Sequence, residues 1–101
     1  MIRVCIDPEE LIFRLDGHAG YAPEGQDIVC ASASMMAAML FEYTLRHVSC
    51  DIRECELEPG HAALDVQPTR SNHAALESVF RAVHCGFELL ANRYPKHVII
   101  D

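Results

Sequence analysis

The chain has 101 residues, half of them hydrophobic, five cysteines and a formal net charge of −7. That length is read as one domain, 1-101, with room for a single modest core, and the negative charge argues against a nucleic-acid partner, because binding a polyanion needs a basic face that displaces counterions. The cysteines show no paired spacing, there is no secretory signal pattern, and no charge-free apolar run reaches the ~20 residues that cross a bilayer. The expectation is a cytoplasmic protein with no membrane partner and mostly reduced, buried cysteines.

Ile2, Val4 and Ile6 alternate with polar or small neighbours, Asp7-Pro8-Glu9-Glu10 makes a turn, and Leu11, Phe13 and Leu15 resume the alternation, which predicts a β-hairpin. A glycine-rich loop follows, running from Gly17-His18-Ala19-Gly20-Tyr21 through Pro23 and Gly25 to Asp27. Asp27 is a good N-cap residue, so Ile28, Val29 and Cys30 fall in the first turn of a helix that continues to about His47. That helix is rich in Ala, Met and Leu and apolar on nearly every side, as expected of one placed between a sheet and either a second helix or another subunit.

Cys55 and Leu57 alternate with Glu54, Glu56 and Glu58, Pro59-Gly60 turns the chain, and Leu64 and Val66 continue a second hairpin, with Cys55 on the core side. Ile52 has the wrong parity for this strand, which predicts a bulge or a late strand start. Ser71 or Asn72 caps a second helix whose stripe is Leu76, Phe80, Val83, Phe87, Leu90 and Tyr94, with His84 and Cys85 packing beside it. Pro95 ends the helix, and Val98-Ile99-Ile100 reads as a short last strand. The order of elements predicts an α+β two-layer sandwich: a mainly antiparallel or mixed sheet of four to five strands, with two helices on one face.

A cysteine in the first turn of a helix meets unpaired backbone N–H groups and the positive end of the dipole, both of which favour a thiolate. His18 lies at the end of the preceding strand, across a loop flexible enough to fold back. Cys30 and His18 therefore form a candidate nucleophile and general base, with the N–H groups around Cys30 as candidate oxyanion donors. Otherwise Cys30 is a small buried hydrophobe and His18 a solvated loop residue. Asp27 fits either a cap or an orienter of His18. Ser34, one turn beyond Cys30, fits either a hydrogen bond in the site or close packing. Tyr21 lines a substrate groove or anchors the loop by its ring, and the loop Ala19 to Gln26 has the composition of a lid. His73 and His97 read as solvated. His47, Cys50, Cys55 and His61 are of metal-ligand type, but Cys50 and Cys55 lack the close spacing of a zinc knuckle, so no metal and no cofactor is expected.

The segments Gly17 to Tyr21 and Asp27 to Ala31, with Ser34 beyond, closely resemble the signature of the ribosomal-processing cysteine proteases. The order of elements and the closing Tyr94-Pro95-Lys96-His97-Val98 are similar to that family too. One departure is local: Ser32 and Ala33 stand where the family commonly has alanine and then valine. The resemblance implies an endopeptidase that removes a short N-terminal extension from protein twenty-seven of the large ribosomal subunit, with Cys30 as nucleophile and His18 as base. It implies Gly17, Gly20, Tyr21, Asp27 and Ser34 as supporting or substrate-binding residues, a ribosomal protein precursor as partner, and a homodimer. An acidic surface suits a basic ribosomal protein. The competing reading is a non-catalytic ribosome-assembly or interaction module that keeps the protease fold; a thiol redox sensor is a third, but no resolving cysteine lies near Cys30 in sequence.

Overall fold

The apolar alternation at the two ends of the chain closes into one sheet. In the computed structural model, which describes residues 1–101, β1 (Ile2–Asp7) and β2 (Ile12–Asp16) pair antiparallel, with Val4 opposite Leu15 and Ile6 opposite Phe13. The hairpin turn is held by Asp7, whose carboxylate accepts the N–H groups of Glu9 and Glu10. A second antiparallel hairpin is built from β3 (Asp51–Glu58) and β4 (His61–Gln67), and β4 docks on β2. The short β5 (Val98–Ile100) runs parallel to β1, so the strand order is β3-β4-β2-β1-β5. Two helices, α1 (Ile28–His47) and α2 (His73–Arg93), cover one face of this mixed sheet. This is the α+β two-layer arrangement that the periodicity predicts.

Each buried stripe has a matching partner. Ile2, Val4, Ile6, Phe13, Leu15, Ala62, Leu64 and Val66 point from the sheet toward the helices. From α1 come Val29, Ala33, Ala37, Leu40 and Phe41, and from α2 Leu76, Phe80, Val83, Phe87 and Leu90. Phe13 is central: its ring meets Phe41 edge-on at 6.2 Å and Phe87 at 5.8 Å. The helices pack tightly at Gly86, where a Cβ atom would lie 2.5 Å from the Met36 sulfur. By length and composition α1 would also suit a membrane, but its inner face packs on the sheet as a core helix. Asn72 stands at the N-cap of α2 without capping it; its side chain accepts from Thr69 N at 2.8 Å and donates to Ser49 O, tying two loops together.

The other face of the sheet is a lattice of charges. Arg14 pairs with Glu54 at 2.8 Å and Arg53 with Asp65 at 3.5 Å, and Ala63 is buried beneath them. His61 sits between Asp16 at 2.7 Å and Glu56 at 2.8 Å. Those two hydrogen bonds, Asp16 first, hold its imidazole above the ordinary histidine range against a small opposing effect of burial.

Two expectations change. The predicted irregularity is present as a register shift between Ile52 and Glu54, and it puts Cys55 opposite Leu64 on the helix-facing side. Yet β3 is the outermost strand, and beyond Ile52 its helix-facing side is left open, so Cys55 is exposed and Leu57 keeps 56% of its surface. The cysteines are not buried: Cys5, Cys55 and Cys85 are exposed, while Cys30 and Cys50 are half-buried, and all are free thiols. Cys55 and His61 lie on opposite faces of the sheet, and the four metal-type residues do not converge.

Candidate active site

The end of β2, the loop after it, the start of α1 and the β3-β4 turn together form one groove of about 1090 Å³. Gly17, His18, Gly20, Asp27, Cys30 and Ser34 all line it, so the tertiary fold gathers six of the seven residues singled out by the sequence. Tyr21 is the exception. Its ring turns away to pack edge-on against Tyr94 and His97, each at 5.3 Å, which makes it a loop anchor.

Local chemistry explains this placement. Gly17 has φ of 99°, a backbone conformation that favours glycine, and a Cβ there would collide with the carbonyl oxygen of Met1. Its N–H donates to Gly60 O at 2.9 Å, joining the end of β2 to the β3-β4 turn. The His18 ring then lies directly on Gly60, where a Cβ atom would sit 2.6 Å from Nε2. In the sequence Pro59-Gly60 reads only as a hairpin turn; the missing side chain at Gly60 is also the seat of the imidazole.

Asp27 organises the rest. Its Oδ1 accepts Val29 N at 3.0 Å and Cys30 N at 2.9 Å, which is the predicted cap. Its Oδ2 accepts Tyr21 N at 2.9 Å and Ala22 N at 3.2 Å, which fastens the loop to the helix start. Burial alone would raise this carboxyl, but the N–H groups of Cys30, Ala22, Tyr21 and Val29 outweigh it and hold it below the usual carboxylate range. Both oxygens are thus committed to backbone, and the geometry is that of a structural anchor instead of an orienter of His18.

The same contacts correct the expectation about donors. The N–H groups of Val29 and Cys30 point at Asp27, and that of Ala31 donates to Asp27 O at 3.0 Å, so none of these is aimed at the sulfur. The donor on Cys30 Sγ comes from the loop: Ala19 N at 3.2 Å. Ala19 is itself buried. Its carbonyl accepts from His97 Nδ1 at 2.9 Å, so His97 is half-buried and bonded, contrary to its reading as a solvated side chain. His73 is likewise half-buried, with Nε2 3.3 Å from Glu9 O. Of the pair assigned to packing, His84 is half-buried beside Glu88 at 3.4 Å, and Cys85 faces solvent. The loop predicted to be a lid is therefore pinned over its first half by Asp27, His97 and Tyr94.

A small, half-buried sulfur with one N–H on it, in a groove shared with an exposed imidazole, has the parts for acyl transfer. Comparison with known proteins points the same way. The family described as cysteine protease Prp matches residues 1–99. The ribosomal processing cysteine protease Prp of Mycoplasma genitalium is 30% identical over 104 residues, covering 100% of this chain and 95% of that protein. The fold superposes on a crystal structure of Staphylococcus aureus Prp, an essential ribosomal processing protease with a covalently linked product peptide, at a TM-score of 0.84, with 20% identity, covering 100% and 98% of the two chains. Its complex with a substrate peptide gives a TM-score of 0.68 at 21% identity with the same coverage.

Proposed function

The chain belongs to the cysteine protease Prp family and is a cysteine protease, and from that premise we propose that it removes the N-terminal extension of protein twenty-seven of the large ribosomal subunit, using Cys30 and His18. The observation that carries the residue assignment is the hydrogen bond from Ala19 N to Cys30 Sγ at 3.2 Å, in a groove that His18 also lines. An N–H directed at sulfur favours the thiolate over the thiol. In the proposed reaction His18 takes the Cys30 proton, the sulfur attacks the scissile carbonyl carbon, and the proton passes to the departing amine. Water then hydrolyses the thioester, and no cofactor takes part. Glu24 and Glu58 line the groove, a charge that suits a basic ribosomal protein as substrate.

The test is direct incubation of the purified protein with the extended precursor, read by mass spectrometry. Shortening at a single bond is expected from the unaltered protein, and none from Cys30→Ala or His18→Ala, both of which keep the fold because neither residue lies among the fully buried side chains. Processing at an unchanged rate by either variant removes that residue from the mechanism.

The outer side of α1 supports a homodimer. Met35 and Met39 keep 68% and 54% of their surface, and Ile28 shares that side of the helix. A second copy covering them accounts for a helix that is apolar all round. Sedimentation at tens of micromolar should show a dimer that Met35→Glu dissociates; a monomer in both cases rejects it.

A further inference from the structure

The donor that meets the Cys30 sulfur does not belong to the helix carrying that sulfur, so something else must hold it in place. Ala19 lies in a glycine-flanked loop, between Gly17 with φ of 99° and Gly20 with φ of 66°, where backbone freedom is high. Its N–H is 3.2 Å from Sγ and its carbonyl is 2.9 Å from His97 Nδ1. A carbonyl oxygen only accepts, so Nδ1 carries the hydrogen. His97 is fixed in turn: its N–H donates to Tyr94 O at 2.9 Å, its carbonyl accepts Ile2 N at 2.9 Å, and its ring packs on Tyr21. The segment between α2 and β5 thus reaches across 78 positions of sequence to the residue next to the candidate base.

We propose that His97 is a positioning residue for the protease reaction: by holding the Ala19 carbonyl it aims the Ala19 N–H at the Cys30 sulfur and so stabilises the thiolate. This rests on the assignment of Cys30 as nucleophile. His97 touches neither the sulfur nor the groove; it acts through the backbone of Ala19. Asp27 secures the next residues, Tyr21 and Ala22, from the inner side, while His97 and Tyr94 secure the loop from the outer side. The peptide unit that carries this N–H is held at its other end, the His18 carbonyl, by the Met1 amino group; His97 holds the adjoining unit, and without it the Ala19 backbone keeps only one of these two anchors, so the N–H drifts from the sulfur.

The experiment is alkylation of the full chain by iodoacetamide across pH 5 to 10, with labelling at each cysteine followed by peptide mass spectrometry. In the unaltered protein Cys30 should react at pH 6 far faster than the exposed Cys5 and Cys85. His97→Ala should slow Cys30 about tenfold at pH 6, the lower end of what a hydrogen bond to a charged group contributes, with the curves converging at alkaline pH where every thiol is ionised. His97→Asn, whose amide nitrogen falls near the position of Nδ1, should restore most of the rate. His97→Gln, whose amide is displaced by one carbon, should not, and this polar pair carries the test if the alanine variant does not fold. Fast Cys30 labelling unchanged in His97→Ala, or equal rates in the Asn and Gln variants, overturns the positioning role alone. Equal labelling of Cys30 and Cys5 in the unaltered protein overturns the nucleophile assignment on which it rests.

Discussion

Replacing Gly60 by alanine separates the seat of the imidazole from the stability of the fold. The added Cβ lies 2.6 Å from His18 Nε2, and ordinary van der Waals contact begins at 3.4 Å, so the ring must retreat by about 0.8 Å. The nearest atoms are all on the His18 ring, an exposed side chain that swings aside, so relief is cheap for the fold and costly for the site. Backbone strain adds to this: Gly60 has φ of 77°, and an L-residue in the left-handed region costs about 1–2 kcal/mol. A domain with ~5–15 kcal/mol of stability remains folded after such a loss. Activity is more sensitive, since displacement of a reacting group by about 1 Å lowers rates by roughly 10²-fold. The assay is kcat/KM on the extended precursor, with thermal melting of the same samples. Gly25→Ala is the control for strain, because φ there is 84° and nothing lies within 4 Å of the added Cβ. Gly60→Ala should lose roughly a hundredfold in kcat/KM, and Gly25→Ala much less at a similar melting temperature. Equal activity in the two variants refutes the argument that His18 works from its position on Gly60.

His61 makes stability depend on pH in a stated direction. Its folded value is raised, first by Asp16 and then by Glu56, so the stabilisation is complete below the unfolded value near ~6.5 and is lost as pH rises through the folded one. The gap in melting temperature between the unaltered protein and His61→Gln should be largest near pH 6 and close toward pH 9; a gap that does not vary with pH contradicts it. Asp27 has the opposite sign, because its folded value is depressed: its contribution is present above the unfolded value near ~3.9 and disappears as pH falls through the folded one. Asp27→Asn should therefore melt below the unaltered protein at pH 7 and approach it under acid conditions, which melting curves at pH 7 and pH 3 decide. Phe87, fully buried against Phe13, should cost about 3–5 kcal/mol as Phe87→Ala in denaturant titrations; a loss below 1 kcal/mol would place the centre of the core elsewhere.

The sequence by itself determined the elements and the chemistry available to them. Alternation at Ile2, Val4 and Ile6 and the stripe from Leu76 to Leu90 are local properties of the chain, and local sterics with one buried face settle strand and helix from them. Asp27 as a cap is equally local, since its partners Val29 and Cys30 lie within three residues. The Ile52 parity conflict even announced the bulge.

Only the tertiary structure decided what surrounds the sulfur. Whether Cys55 is covered depends on β3 being the edge strand, and strand order follows from how hairpins dock, which no spacing within β3 records. The Ala19 donor, the Gly60 seat and the His97 tie join residues 11, 42 and 78 positions apart. All three rest on a backbone N–H, a backbone carbonyl or the absence of a side chain. Every residue offers the same backbone groups, so only the folded path of the chain selects the ones that act.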